Sequence, residues 1–443
     1  MSTVRDRSGA SRPAAGVSPF HLLWFGEGVS VLGNATTSVL IPLLAVVRFQ
    51  AGPAWLGMLT AAAWLPWLVI GLPAGAWADR LAPRVVMIAA DLVSAAVLFS
   101  VPIAWWLGVL GLPQLLLVAF LGGIATVFFR TGYVSLLPTM VADHQLETAN
   151  ARLFGTESAM QVAGPGLAGV ISQTLSAAGG LVLDAASFLV SAACLWRIRP
   201  ATALDQRSRR IEAAERTAGL LGQIREGVRL VAGDRHLRAL TISGGIANFG
   251  LTGYGSLLVL FLVRNLQLSP ATVGVVLMLG SCGGLTGAGV ATVLARRFGT
   301  GRASTVLLLI GGPAALLIGL PTGARQAYLV VAGLVLVGAA VVAGNVIRAA
   351  WRQRYVPRAL MGRVVATSQV LNYGTMPVAG LVAGWLGGHV GVRSTIIVMA
   401  GIHALACWAI LLTPLGAART LPDRRPAAAG SGQPRQAGDR GVV

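Results

Sequence analysis

Four carboxylates stand inside long apolar segments of this 443-residue chain: Glu27, Asp91, Glu157 and Asp184. An ionised side chain inside a bilayer is energetically costly, so such residues usually mark ion pathways, substrate sites or paired charges. Between Asp234 and Asp423 the sequence contains no aspartate or glutamate. Any carboxylate that carries a proton along a transport path must therefore belong to the first half of the chain.

The spacing of polar residues makes Glu27 the leading proton-coupling candidate. Asn34 and Ser38 follow it at i+7 and i+11, so the three side chains are predicted on one helical stripe that faces a central cavity. A carboxylate that is partly withdrawn from water there can bind a proton and release it when a polar or cationic substrate enters. We therefore expect the glutamate to take part in coupling.

The other three carboxylates are weaker candidates, and each also has a structural interpretation as a paired or hydrated group. Asp91 and Arg130 are predicted at similar depths, which would allow an ion pair between their helices. Glu157 is expected at the same level. Asp184 is predicted near the outer face, where water or a helix N-terminus could satisfy it.

The segments that must position these side chains are membrane spans. Hydrophobic residues make up 55% of the chain and charged residues 11%, against about 25% charge in soluble domains, which excludes a soluble or disordered protein. Twelve apolar runs long enough to span a bilayer lie near 20–47, 54–77, 85–107, 114–138, 150–176, 180–196, 239–263, 270–294, 303–321, 327–347, 364–387 and 394–413. The pattern predicts an all-α membrane protein with twelve transmembrane helices in two six-helix bundles.

The basic residues predict the orientation of these spans. All 34 are arginines, and the formal net charge is +19. With the N-terminus inside, 29 arginines fall in cytoplasmic segments and four on the opposite face, as positively charged loops prefer. Both termini are therefore predicted to be cytoplasmic. Because the arginines flank apolar runs, they indicate topology, and no nucleic-acid partner is expected.

Five segments follow from this layout. They are a cytoplasmic N-terminal segment (1–18), a first bundle (19–196), a cytoplasmic linker (197–238), a second bundle (239–415) and a disordered cytoplasmic tail (416–443). The linker places Leu220, Ile224, Val228 and Val231 on one helical stripe. We expect an amphipathic helix that lies along the cytoplasmic membrane surface.

Two short motifs carry a family resemblance. Gly75, Asp79, Arg80 and Arg84, between the second and third runs, resemble the G-x-x-x-D-R loop of the major facilitator superfamily, which implies a cytoplasmic gate. In the fifth run, the segment from Gly164-Pro165 to Gly169 is similar to the G-P-x-x-G-G motif of that superfamily's exporters, which implies drug–proton antiport.

The first run narrows the resemblance further, because Phe25-Gly26-Glu27 is similar to a bacterial efflux branch that includes macrolide and enterobactin exporters. The resemblance implies a multi-pass protein of the bacterial inner membrane that works as a monomer. It implies proton-coupled efflux of a small hydrophobic or amphipathic compound by alternating access. A substrate–proton symporter or uniporter that imports a metabolite stays open as an alternative, as does a non-transporting sensor or scaffold.

The polar residues of the predicted cavity suit a large, mostly apolar substrate with scattered hydrogen-bonding groups. The second-half wall is expected to be uncharged. Besides Asn34 and Ser38, the candidates are Gln161, Asn248, Thr252, Tyr254, Ser368, Asn372 and Tyr373. The sequence has no nucleophile–histidine–acid set, metal cluster or phosphate loop, so neither an enzyme nor a cofactor is expected.

Overall fold

The structure is a computed structural model that describes residues 18–71, 81–198 and 220–412. It is nearly all-helical, because the long apolar runs can satisfy their backbone groups within a bilayer only as helices. We number the helices in chain order: α1 (Pro19–Val47), α2 (Pro53–Val69), α3 (Pro83–Trp106), α4 (Leu112–Leu136), α5 (Leu146–Thr174), α6 (Ala177–Arg197), α7 (Leu220–Gly233), α8 (Arg235–Leu260), α9 (Pro270–Phe298), α10 (Thr300–Ala314), α11 (Ala327–Tyr355), α12 (Arg358–His389) and α13 (Val392–Trp408).

Within these described residues, nine helices are long and apolar enough to cross a membrane, namely α1, α3, α4, α6, α8, α9, α10, α11 and α13. Helix α2 is a shorter apolar helix of 17 residues. Helices α5 and α12 are long but less apolar, with 29 and 32 residues. These helices overlap the predicted runs in position, while α7 belongs to the linker.

The two halves of the chain repeat the same helix packing. In the first half α1 packs on α5 and α6, α4 packs on α2 and α3, and α3 also contacts α6. The second half has the corresponding pairs, in which α8 packs on α12 and α13, α11 on α9 and α10, and α10 also contacts α13. Such a parallel repeat of two six-helix units is typical of transporters whose site lies between the halves.

The linker helix α7 follows the end of α6 and precedes the start of α8. We call the side of the molecule where these two helix ends lie the linker side. Apolar side chains at the starts of α1 and α3 and the ends of α4 and α6 cluster there, including Phe20, Met87, Leu136 and Leu195. Consecutive helices run in opposite directions, so Glu27, eight residues after the start of α1, lies about 12 Å from this side at 1.5 Å per residue.

The two halves approach each other most closely near the opposite side. A Cβ atom built on Gly57 of α2 would lie 2.8 Å from the Cα of Gly384 in α12, and one on Gly169 of α5 would lie 2.9 Å from the Cα of Gly274 in α9. Side chains at these positions would push the helices apart, so the glycines permit backbone-to-backbone contact. The contacts hold the halves together on the side away from the linker.

The linker helix α7 packs on the second half, a contact that the sequence pattern did not indicate. Glu226 pairs with Arg363 of α12 at 2.5 Å, and a Cβ on Gly227 would lie 2.9 Å from the Arg363 carbonyl oxygen. Val231 is buried in a cluster with Trp351 of α11, whereas Val228 is exposed. The helix pattern showed an apolar stripe but not the protein surface that covers part of it.

Candidate functional site

A cavity of about 650 Å³ opens between the first-half helices and α8. Its wall combines apolar side chains with a band of polar and charged ones, as in sites that bind amphipathic small molecules. The polar and charged residues of the wall include Glu27, Asn34, Ser38, Asp91, Arg130, Glu157, Gln161 and Thr252. The structure therefore brings together three of the four predicted carboxylates and four of the predicted cavity residues.

Glu27 stands on the cavity wall without a fixed partner for one of its oxygens. Its Oε2 atom is buried and accepts no hydrogen bond from any described residue. Arg130 and Glu157 lie close enough to interact with it electrostatically. A buried carboxylate oxygen without a partner is costly, and binding a proton relieves that cost.

Arg130 makes its ion pair with Glu157 of α5, with Nη2 and Oε1 2.5 Å apart, and not with Asp91 as the depth of the residues suggested. The two side chains point into the cavity and are 40% and 25% exposed. Asp91 is only 1% exposed and faces Ser191 of α6. Its carboxylate oxygens make no hydrogen bond of ordinary geometry with the described residues.

We expect the Arg130–Glu157 pair to contribute measurably to stability. Arg130→Gln and Glu157→Gln should each lower the apparent melting temperature of the purified protein, because each leaves one charge uncompensated. The double variant should recover part of the loss, with a coupling energy of about 0.5–3 kcal/mol. Thermal unfolding followed by fluorescence-detected gel filtration checks this, and strictly additive effects would contradict it.

Asp184 lies outside the cavity, and the expectation of a hydrated position at a helix end is wrong. The residue stands two turns into α6, whose N-cap is Ser176. It is 2% exposed, and its Oδ1 accepts a hydrogen bond from Ser187 at 3.0 Å. A Cβ on Gly33 of α1 would lie 2.9 Å from its carboxyl carbon. The aspartate on α6 is therefore packed against α1.

Three aromatic rings connect the two halves beside the cavity. Trp64 and Trp67 of α2 line it, and their ring centroids lie 5.7 and 5.1 Å from that of Tyr373 in α12. Such rings supply large apolar surfaces at low entropic cost. Sequence analysis proposed the tyrosine but missed the tryptophans, although their i, i+3 spacing indicates a shared helix face.

A second cavity of about 390 Å³ lies within the second half, next to the first. Asn248, Ser368, Asn372 and Tyr373 line it as the sequence suggested, and the Asn248 amide donates a hydrogen bond to Asn372 Oδ1 at 2.9 Å. Tyr254 does not contribute to either cavity wall; it is buried with its ring 6.4 Å from that of His403.

The wall of the second cavity is charged, which corrects the expectation of an uncharged one. Arg348 and Arg352 of α11 line it. The sequence pattern assigned both arginines to a cytoplasmic segment because the apolar run ends near 347. In the structure α11 continues to Tyr355, so the two arginines are carried on the last turns of a long helix.

The motif residues of the fifth run lie at two helix contacts. A Cβ on Gly164 would lie 2.8 Å from the carbonyl carbon of Ala35 in α1. The Pro165 and Gly169 backbones face Gly274 of α9. The segment thus lets α5 pack closely both on its own half and on the other half.

Of the loop motif, only Arg84 belongs to the described residues; Gly75, Asp79 and Arg80 lie outside them. Arg84 donates hydrogen bonds to the carbonyl oxygen of Leu195, at 2.7 Å, and to that of Trp196. It therefore ties the start of α3 to the end of α6, where cations complement the helix dipole. In the part of the chain that the structure covers, no three His, Cys, Asp or Glu side chains are grouped to hold a metal ion.

Comparison with known proteins agrees with this architecture. The family model "Major Facilitator Superfamily" matches residues 23–379 and 240–438. The chain belongs to the major facilitator superfamily. As a member of this superfamily it is a multi-pass membrane transporter, and the two repeated halves with a cavity between them are the structural basis of that assignment.

Relatives within the superfamily include proteins that are exporters by name. The MFS-type transporter y4rN of Sinorhizobium fredii, itself uncharacterised, is 29% identical and covers 96% of this chain and 100% of its own length. The multidrug efflux pump Tap of Mycolicibacterium fortuitum is 28% identical over 86% of this chain and 92% of its own. The macrolide efflux protein A of Streptococcus pyogenes is 21% identical over 52% of this chain and 55% of its own length. These relatives confirm the resemblance to the bacterial efflux branch.

A solved structure shows the same fold. A point mutant of the nucleoside transporter NupG superposes with a TM-score of 0.72 over 89% of this chain and 98% of its own, at 13% sequence identity. At this identity the likeness concerns the fold alone. The arrangement of helices is thus that of a superfamily transporter, while the substrate depends on the cavity side chains.

Proposed function

We propose that this transporter exports a small hydrophobic or amphipathic compound in exchange for protons by alternating access. The observation that carries the proposal is the cavity between the halves, in which Glu27 keeps an unpartnered buried oxygen beside the Arg130–Glu157 pair. The similarity to the multidrug efflux pump Tap supports export over import.

The cavity chemistry supports an amphipathic substrate. Apolar side chains cover most of the wall, and the aromatic group formed by Trp64, Trp67 and Tyr373 offers flat faces on which a ring system can stack. The amides of Asn34 and Gln161 supply scattered hydrogen-bonding groups. This combination holds substrates of varied shape by contact area and by a few polar interactions.

Coupling would follow from competition for Glu27. A proton neutralises the carboxylate when the cavity is empty, and a substrate that reaches the cavity displaces that proton. Glu157 is less suited to this role because Arg130 already neutralises it. Asp91 is the second candidate, since it is buried at the cavity edge without an ordinary hydrogen bond from the described residues.

The proposal includes a topology. Twelve spans with both termini in the cytoplasm would place the linker side in the cytoplasm, and the glycine contacts between α2 and α12 and between α5 and α9 would then close the outer side. The cavity would be reached from the cytoplasm, which suits a pump that loads its substrate there. The resemblance to bacterial exporters supports a place in the bacterial inner membrane and action as a monomer.

Inverted membrane vesicles test the direction of transport. With respiration acidifying the vesicle lumen, an exporter should accumulate ethidium or a radiolabelled macrolide inside, and adding substrate should raise the lumenal pH as protons leave in exchange. Both signals should vanish with an uncoupler. Equilibration of the probe across the membrane without accumulation, unchanged by the uncoupler, would indicate a uniporter. Substrate that leaves the lumen together with protons would indicate a symporter, and no flux of any probe a sensor or scaffold.

A further inference from the structure

The second cavity is not used by the coupling mechanism above. It lies between α8, α10, α11, α12 and α13, and Tyr373 on its wall contacts the tryptophans of the first cavity. Helix α8 lines both cavities, with Asn248 facing the second and Thr252 facing the first. A molecule bound in the first cavity therefore has a neighbouring space in the second half.

Two arginines on one face of α11 line the second cavity. Arg348 and Arg352 are i and i+4 on α11, so their side chains lie on the same face, and both line the cavity. Arg348 stands seven residues before the helix ends at Tyr355, about 10 Å from that end. This is close to the depth of Glu27 and Arg130 in the first half.

The Arg348 side chain folds back from the near end of its helix. Long basic side chains near a helix end normally extend toward the interface. Instead, a Cβ on Gly344, one turn deeper in the membrane, would lie 2.8 Å from Arg348 Nη1, and Nη2 donates a hydrogen bond to Asn345 at 2.9 Å. The absence of a side chain at Gly344 lets the guanidinium fold back toward the membrane centre.

No carboxylate balances these two charges from within the second half. The sequence has no Asp or Glu between 235 and 422. Asp234, the nearest acid before α8, accepts hydrogen bonds from Tyr355 and from the amides of His236 and Leu237. Glu226 pairs with Arg363.

The remaining groups on the cavity wall do not supply a negative charge either. His403 and Cys407 contact each other at 3.7 Å, and the histidine ring also bonds to the backbone oxygen of Ala247. Asn345 is the one described side chain that bonds to Arg348, and the side chain of Arg352 makes no hydrogen bond or ion pair with a described residue. The pair thus keeps most of its donors free toward the cavity.

We propose that Arg348 and Arg352 form a subsite for an anionic group of the transported compound, a carboxylate, sulfonate or phosphate. Guanidinium groups present paired N–H donors that match these oxyanions, and the interaction is strong where water is scarce. Asn248 and Asn372 add amide groups, and Tyr373 an aromatic surface for the body of the compound. This inference deepens the proposed function, on which it rests, by adding an acidic group to the substrate class.

Matched fluorescent probes test the subsite directly. Dansylglycine carries a carboxylate, and dansylglycinamide replaces it with a neutral amide of nearly the same shape. In nanodiscs of neutral phosphatidylcholine, the wild-type protein should bind the carboxylate at least about tenfold more tightly, as charged hydrogen bonds imply. Arg348→Gln and Arg352→Gln should each remove that preference while leaving the affinity for the amide within about twofold.

Two further variants separate the subsite from general charge and from misfolding. Arg354→Gln removes an exposed arginine of the same helix that does not line the cavity, and it should retain the preference. Gly344→Ala keeps both arginines but fills the place of the Arg348 guanidinium, so it should weaken dansylglycine binding and spare the amide. Three results would overturn the subsite. The wild type could bind both probes equally, it could fail to bind dansylglycine, or Arg354→Gln could lose the carboxylate preference as fully as the cavity variants do.

The result is independent of the transport assay. Equilibrium binding in nanodiscs needs neither a proton gradient nor a particular direction of transport. If the carboxylate preference holds but inverted vesicles show no exchange with protons, the antiport proposal fails and the subsite stands. If vesicles show proton-coupled ethidium accumulation and the preference is absent, the subsite alone fails.

Discussion

Glu27→Gln is expected to abolish gradient-driven accumulation of substrate in inverted vesicles and leave the fold intact. Glutamine resembles the protonated glutamate in shape but cannot release a proton, so the step that links substrate entry to proton release is lost. Accumulation should fall to the level of vesicles without the protein. Exchange of labelled for unlabelled substrate at equal concentrations should persist, because it requires no net proton movement.

The matched control is Glu147→Gln, the same chemical change at an exposed position at the start of α5. It should accumulate substrate like the wild type, and both variants should elute as monodisperse protein in gel filtration. Full gradient-driven accumulation by Glu27→Gln would remove Glu27 from the mechanism. Asp91→Asn then becomes the decisive variant, because Asp91 is the other cavity carboxylate without a cationic partner among the described residues.

Gly57→Leu is expected to shift the conformational equilibrium and block the transport cycle. A Cβ at this position already meets the Gly380 carbonyl oxygen and lies 2.8 Å from the Gly384 Cα, so the larger side chain wedges α2 and α12 apart. Overpacking of this kind costs about 1–3 kcal/mol, which corresponds to a change of about 5–150-fold in the population of the two states. The state closed on the side away from the linker should become the minor one.

Cysteine labelling measures this shift. In a variant without Cys194, Cys282 and Cys407, a single cysteine replaces Ser38 on the cavity wall. A membrane-impermeant maleimide should label it from the linker side in the parent protein and from the opposite side after Gly57→Leu. Gly401→Leu is the control, since a Cβ on Gly401 in α13 meets nothing within 4 Å. Unchanged labelling and transport in the Gly57 variant would show that α2 and α12 do not form the closing contact.

Much of the candidate site followed from composition and periodicity. The apolar runs predicted the helices because a long apolar segment buries its backbone groups only as a helix in lipid. The i, i+7, i+11 spacing of Glu27, Asn34 and Ser38 placed all three on one face, and all three line the cavity. These are local properties, since a helix fixes the relative directions of its own side chains.

Partners across helices could not be predicted in the same way. Counting residues gave Asp91, Arg130 and Glu157 nearly the same depth, but depth leaves open which neighbouring helix each side chain faces. The structure pairs Arg130 with Glu157 and buries Asp91 against α6. Asp184 was assigned to the outer face by its distance along the run, whereas the absence of a side chain at Gly33 lets it pack against α1.

Residue identity and helical period were enough to show three things: the carboxylates inside apolar runs all belong to the first half, the chain alternates apolar runs with arginine-rich connections, and Glu27 shares a polar stripe. Tertiary structure alone decided that Arg348 folds back over Gly344 into a cavity instead of reaching the interface. Such a choice depends on the space left by neighbouring helices and on the charges that surround it, and neither is encoded in the spacing of one helix.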